Sequence, residues 1–267
     1  MSESGNTFDW KDFMRPYTQA VEELDLKFNS IIKQFFSSGE YSPIHHVYSR
    51  VKSISSIMEK ARKLGIEQEQ IHIRITDIAG VRIITQFEED IYQVVKLIKQ
   101  RADMSVVTVK DYITTPKPSG YKSIHLIIEY SVNTIKGPQN VLCEIQIRTL
   151  AMDFWASIEH SLNYKYKEAM PENIKNRLVN AALRVHSIDS EMGKIRDEIK
   201  GAQALFRQKS FTVNSIIDSL NLLSRYDKDA VKKYYKFFEQ ARETDNILQL
   251  TLLKKEIEKE IDNLSSK

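Results

Sequence analysis

Glu144, Gln146 and Arg148 alternate with Ile145 and Ile147 in the run Glu144-Ile145-Gln146-Ile147-Arg148-Thr149, with the period of two that belongs to a β-strand. A carboxylate, an amide and a guanidinium then share one face while the other face is core. Such a row can hold a metal, accept a proton and bind a phosphate. It also fits the exposed face of an edge strand, so other segments have to decide. A second carboxylate, Asp77, stands at the mouth of the β-branched run Val81-Arg82-Ile83-Ile84-Thr85, where a turn cap is the plainer role. Two carboxylates from separate strands, with no histidine or cysteine ligand spacing beside them, are hard oxygen donors. They suit Mg²⁺, which keeps waters and takes phosphate oxygens as its remaining partners.

Cations gather in two other places. Arg50, Lys52, Lys60, Arg62 and Lys63 oppose the single acid Glu59, a local charge of +4 that exceeds the net +3 of the whole chain. A solvated helix face accounts for such a run, and so does a triphosphate. Lys110 to Lys122 holds two prolines, a glycine, three lysines and two tyrosines, so it is irregular. Cations mixed with aromatic faces suit a base carrying phosphates, though a plain surface loop would look similar. Arg82 interrupts an apolar strand and needs a partner, and Gly80 leaves room for close approach. His125 adjoins the loop, where a packed, hydrogen-bonded strand histidine is the plainer role. Glu159-His160 lacks the spacing of a zinc motif, so no zinc site is expected there.

These side chains require a set of positioning elements. Phe13, Tyr17, Val21, Leu24 and Phe28 predict a helix over 8–36, and Ser42-Pro43 predicts a second helix start running to Leu64, closed by Gly65. Ile71 to Ile75 alternates and leads through a turn to the Asp77 strand. Glu88 to Arg101 reads as an amphipathic crossover helix. Strands follow from Met104 to Val109 and from Ser123 to Tyr130, and Gly137-Pro138 turns the chain into the Glu144 strand as an antiparallel neighbour. After Thr149 the pattern is helical. Pro171 opens a helix toward Gln203, and beyond Arg207 short helices precede a stripe of Leu250, Leu253, Ile257, Ile261 and Leu264 that needs a partner.

The totals exclude several classes. With 267 residues, 42% hydrophobic and 28% charged, the chain is a globular protein with a sizeable core. It has no apolar run of 18 residues and no basic, then apolar, leader, so a cytoplasmic protein with no membrane segment is expected. Cys143 is a lone core thiol, and the net charge is too small to imply nucleic-acid binding by itself.

Arg50-Val51-Lys52, Asp77-Ile78-Ala79-Gly80-Val81-Arg82, Ser119-Gly120-Tyr121-Lys122-Ser123-Ile124-His125, Glu144 to Thr149, and Phe154-Trp155 with Glu159-His160 and Asn163-Tyr164-Lys165 occur in this order. Over about residues 10–203 the chain resembles the small alarmone synthetases, single-domain relatives of the Rel/Spo proteins. The resemblance implies an α+β fold: a mixed five-stranded sheet flanked by helices, nucleotidyltransferase-like, with helical N- and C-terminal extensions. It divides the chain into a synthetase domain, 1–203, and a helical tail, 204–267.

The implied activity moves the β,γ-pyrophosphate of ATP to the ribose 3′-hydroxyl of GDP or GTP, giving ppGpp or pppGpp and AMP, commonly in a homotetramer. By matching position, Asp77 and Glu144 would hold Mg²⁺, and Glu144 would help deprotonate the acceptor. Arg50 and Arg82 would sandwich adenine, while Lys52, Lys60, Lys63 and Lys110 would meet ATP phosphates. On the acceptor side Tyr121 would stack on guanine, Lys117 would meet its phosphates, and His125, Gln146 and Asn163 would position the nucleotide, with Arg148 in support. Asp25, Asn29, His45, His46 and Tyr48 depart from the pattern expected for product activation, and adjacent His45 and His46 read as surface residues before metal ligands. The sequence has no His-Asp dipeptide, the mark of the hydrolase in longer relatives, so synthesis alone is expected. From another class, the same basic and tyrosine-rich surfaces would suit a regulator that binds nucleotide or single-stranded RNA.

Overall fold

The computed structural model describes residues 8–166, 170–244 and 246–265, with the backbone alone at 163–165. The first helix, α1 (Trp10–Ser37), starts where the Asp9 carboxylate accepts from the Lys11 and Asp12 backbone N–H groups. Its stripe of Tyr17, Ala20, Val21, Leu24 and Phe28 is buried against the sheet core. The valine, leucine and phenylalanine among them contribute about 1.5–3 kcal/mol each when fully buried.

The helix expected from Ser42 to Leu64 is instead a strand, β1 (His46–Val51), followed by a shorter helix, α2 (Ile54–Leu64). Ser42 closes a turn on Ile44, its hydroxyl donating to the Ile44 carbonyl at 2.8 Å, and Ser53 takes over as N-cap by accepting from the Ser56 N–H at 3.3 Å. Val47 and Val51 give β1 its alternation, a short pattern beside the stronger serine-proline helix-start signal. Gly65 ends α2 at φ +63° as expected. Ile71–Arg74, which alternates like a strand, forms one helical turn, α3. Ile71 and Ile75 are then four apart on a single buried side.

Next come β2 (Ala79–Thr85), α4 (Glu88–Lys99), β3 (Ser105–Asp111), β4 (Ile124–Thr134) and β5 (Gly137–Thr149). The mixed sheet has the order β1-β2-β5-β4-β3, with β2 parallel to β5 and the other pairs antiparallel. β5 is therefore the central strand, which removes the edge-strand reading of Glu144, Gln146 and Arg148. Helix α4 links strands that run the same way but lie at separate places in the sheet. Cys143, Ile145 and Ile147 face the core shared with α1 and α4, and the polar row faces the other way.

Two helices follow, α5 (Leu150–Lys165) and α6 (Glu172–Leu223). The chain divides into units 1–193 and 194–267, and α6 runs unbroken through 203–204, where the sequence reading put the domain edge. The first of the short helices expected beyond Arg207 is the end of α6. In the second unit, α7 (Lys228–Glu243) and α8 (Ile247–Ser265) bury Phe238, Leu250, Leu253, Ile257 and Ile261 against Ile216, Leu220 and Leu223 of α6. The C-terminal stripe thus finds its partner within its own unit. No described helix is long and apolar enough to cross a membrane.

Candidate active site

Strand register assembles the site. Tyr48, Arg82, Gln146, His125 and Lys110 are successive partners across β1, β2, β5, β4 and β3, so they form one row on one face. The neighbouring row brings Arg50, Gly80 and Glu144 together. An added Cβ on Gly80 would meet the Arg50 side chain and carbonyl at 3.7 Å, an ordinary contact.

Glu144 is held from two sides. His125 Nδ1 lies 3.0 Å from its Oε1, and Gln146 Nε2 donates to its Oε2 at 2.8 Å. Burial pushes the Glu144 carboxyl up, but the hydrogen bond and charge of His125, with help from Gln146, hold it below its ordinary value. Asp77 receives Lys52 at 2.7 Å on one oxygen and Lys60 at 2.8 Å on the other. Here too burial raises the carboxyl, and the two lysines outweigh it to give a lowered pKa. Both carboxylates are therefore ionised at neutral pH.

The arginines share an acid that the sequence reading missed. Asp153, in the first turn of α5, lies 3.3 Å from Arg82 NH1 and 3.1 Å from Arg148 Nε. Arg148, only 3% exposed, also donates to Gln146 Oε1 at 3.4 Å. It braces Gln146 and Asp153 and makes no contact with Glu144 among these bonds. Asp153 follows the Thr149 cap by four residues, where a helix N-terminus favours an acid whatever its other partners, so its type and place alone do not mark it as a site residue.

The loop after β3 forms an aromatic platform. Tyr121 and His125 meet through the phenol oxygen and Nε2 at 2.8 Å, and burial raises the Tyr121 pKa. Tyr112, which carried no expected role, packs edge-on to His125 at 5.2 Å, and the Lys117 ammonium lies over both Tyr112 and Tyr121 at 4.7 and 4.8 Å. Gly120 has φ +86°, and a Cβ there would come within 2.6 Å of Ala182 Cβ on α6. Only glycine fits this turn. Trp155, Ala156 and Ala182 back Tyr121, and Trp155 Nε1 donates to the Leu178 carbonyl at 3.1 Å.

Three clefts open on this face. The first, about 480 Å³, is lined by Arg82, Lys117, Tyr121, His125, Gln146 and His160 among others. A second of about 260 Å³ contains Asp77, Gly80 and Glu144. The third, about 610 Å³, contains Lys52, Ser56, Lys60 and Lys63, with Lys63 paired to Glu59 at 2.7 Å. Arg50 borders all three. Lys110 shares the strand row but lines none of them, and the Asn163 side chain lies outside the described residues.

Two ionised carboxylates facing an arc of arginines and lysines, beside an aromatic platform, define a polyphosphate-handling protein. A family model described as a region found in RelA/SpoT proteins matches residues 49–169. The chain is 48% identical over 200 residues to a GTP pyrophosphokinase, YjbM, of Bacillus subtilis, covering 75% of this chain and 94% of that one. The small alarmone synthetase 1 of Bacillus subtilis bound to its product pppGpp superposes with a TM-score of 0.69 at 47% identity, covering 71% of this chain and 97% of the other. The same enzyme bound to AMPCPP gives 0.63 at 44% identity, covering 72% and 98%. The chain belongs to the RelA/SpoT family, among its small alarmone synthetases.

Proposed function

We infer that this chain is a GTP pyrophosphokinase that transfers the β,γ-pyrophosphate of ATP to the 3′-hydroxyl of GDP or GTP, yielding ppGpp or pppGpp and AMP. The carrying observation is that Asp77 and Glu144 line one cleft, which shares Arg50 with the lysine-lined cleft and Arg50, Arg82 and Gln146 with the tyrosine-lined one. The relatives and the bound nucleotides named above support the same reading.

In the transfer, the 3′-oxygen forms a bond to the β-phosphorus, the bond from that phosphorus to the bridging oxygen of AMP breaks, and the hydroxyl proton passes to Glu144. Lys52, Lys60 and Lys63 hold the ATP phosphates, Arg50 and Arg82 take the adenine faces, and Lys110 assists from the end of its strand row. Tyr121 stacks on guanine, Lys117 meets the acceptor phosphates, and His125, Gln146 and Asn163 orient the acceptor. Arg148 keeps Gln146 and Asp153 in place. Cations are worth more here as charge develops than in the ground state.

Mg²⁺ fits the donor set. Two carboxylates with lowered pKa values supply hard oxygens, and the two lysines on Asp77 supply positive charge that can turn to phosphate when a cation arrives. Asp77 and Glu144 would hold the ion, which supplies charge neutralisation on the polyphosphate. We assign a homotetrameric, cytoplasmic enzyme on the strength of the family resemblance. The deciding experiment incubates the protein with labelled ATP and each guanine nucleotide. Labelled ppGpp or pppGpp with equimolar AMP is expected, and release of inorganic phosphate or pyrophosphate alone would refute the assignment.

A further inference from the structure

The first and third clefts have different walls and meet at two side chains. The aromatic platform lines one, and Lys52, just after β1, with Lys60 and Lys63 of α2 lines the other; among the described residues, Arg50 and His160 alone border both. Arg50 comes from β1 and His160 from α5, so they approach the junction from separate elements. On α5, Ala156, Ser157 and His160 stand at helical spacings of three and four and face the first cleft together. The helix is fixed at its start, where Thr149 caps the Met152 N–H at 3.1 Å and donates to the buried Asp189 at 2.6 Å, and again by the Trp155 bond to Leu178. The imidazole is thus carried on a rigid stem rather than on a loop.

A pyrophosphoryl group that leaves a nucleotide in the lysine cleft and joins a ribose in the tyrosine cleft must pass this junction. Groups bordering both clefts face it while charge redistributes. Arg50 has a task toward adenine, whereas His160 has none in the reaction derived above. We propose that His160 is a catalytic residue of the transfer, its ring N–H donating a hydrogen bond to a non-bridging oxygen of the pyrophosphoryl group in transit.

This inference rests on the proposed pyrophosphokinase reading. His160 makes and breaks no covalent bond. The 3′-oxygen still bonds to the β-phosphorus, the electron pair of the broken bond still leaves on the AMP oxygen, and the proton still goes to Glu144. A donor placed where negative charge moves lowers the barrier without tightening either substrate.

The test compares wild type with His160→Ala and His160→Gln, using ATP and GDP at saturating Mg²⁺. His160 is exposed on a helix, so both variants should match the wild-type thermal unfolding midpoint. For His160→Ala, kcat is expected to fall about 10- to 100-fold with both KM values within about two-fold. His160→Gln, which keeps an N–H donor, should lose less, and added imidazole should restore part of the alanine variant's turnover. Unchanged kcat overturns the proposal. So does a defect confined to the KM of one nucleotide, or equal losses in both variants with no response to imidazole. Absence of any guanosine product from the wild type would instead refute the pyrophosphokinase reading.

Discussion

His125 and Glu144 face each other across β4 and β5 with Nδ1 3.0 Å from Oε1, and His125 continues through Nε2 to the Tyr121 hydroxyl at 2.8 Å. One imidazole thus ties the aromatic platform to the Glu144 carboxylate. Glu144→Gln keeps the shape but removes the charge. It is expected to lower turnover by about 10²- to 10⁴-fold while a non-hydrolysable ATP analogue still binds, as calorimetry would report.

Tyr121→Phe and Tyr121→Ala separate the ring from its hydroxyl. The phenylalanine variant retains the face over which Lys117 lies and should keep the acceptor KM within a few-fold, roughly. The alanine variant should raise the KM for GDP and GTP about 10-fold or more with that for ATP little changed, since base stacking is worth about 1–3 kcal/mol. Initial-rate measurements varying each nucleotide in turn check both.

Gly120→Ala should damage the acceptor side for a different reason. Its φ of +86° and the 2.6 Å approach of Ala182 leave no place for a methyl group. The turn must shift away from α6 and carry Tyr121 with it. A cost of about 1–3 kcal/mol is expected in the unfolding free energy, together with a higher acceptor KM. Gly39, with φ +68° and nothing within 4 Å of an added Cβ, is the control: alanine there should cost stability without moving either KM.

Asp77 links acid stability to its lysines. The folded carboxyl titrates below its unfolded value of about 4, so its contribution is present above about pH 4 and is lost as pH falls through the lowered folded value. Lys52→Met removes one cause of that lowering. The variant should therefore be less stable than wild type at pH 7, and the gap between their urea midpoints should narrow as the pH is brought toward about 3.

A chain ending after residue 193 should fold and retain synthetase activity. The sheet core draws on residues up to Met152, the platform cluster on residues up to Val185, and the second unit has a core of its own. Circular dichroism, the labelled-product assay and light scattering on the shortened chain measure folding, activity and assembly separately.

Much of the site was legible because its chemistry is carried by strand alternation. Glu144, Gln146 and Arg148 had to share a face once Ile145 and Ile147 were core, and β5 does present them so. Asp77 and Gly80 were legible from a β-branched run with a turn before it. Asp153 and Tyr112 were not, because an acid in a helix's first turn and a tyrosine in a loop have common structural uses; only the fold brings them to Arg82, Arg148 and His125. β1 was lost to a strong local signal. Ser42-Pro43 looks like a helix start in isolation, and the pairing of β1 with β2 is what overrides it. The continuity of α6 was equally hidden, since no side chain of residues 190–211 is buried and the helix has no apolar stripe to follow from one core to the other.

The parallel pairing of β2 with β5 joins segments far apart in the chain, from Ala79 opposite Cys143 to Thr85 opposite Thr149. Parallel partners cannot be zipped from a hairpin, so this contact waits on the intervening α4, β3 and β4. During refolding, the β4–β5 hairpin can form early and already present Glu144 beside His125. Catalysis nevertheless has to wait for this long-range pairing, which sets Arg82 opposite Gln146 and Gly80 opposite Glu144. Recovered activity is thus a clock for completion of the sheet, and a partly folded chain has no working fragment of the enzyme to offer.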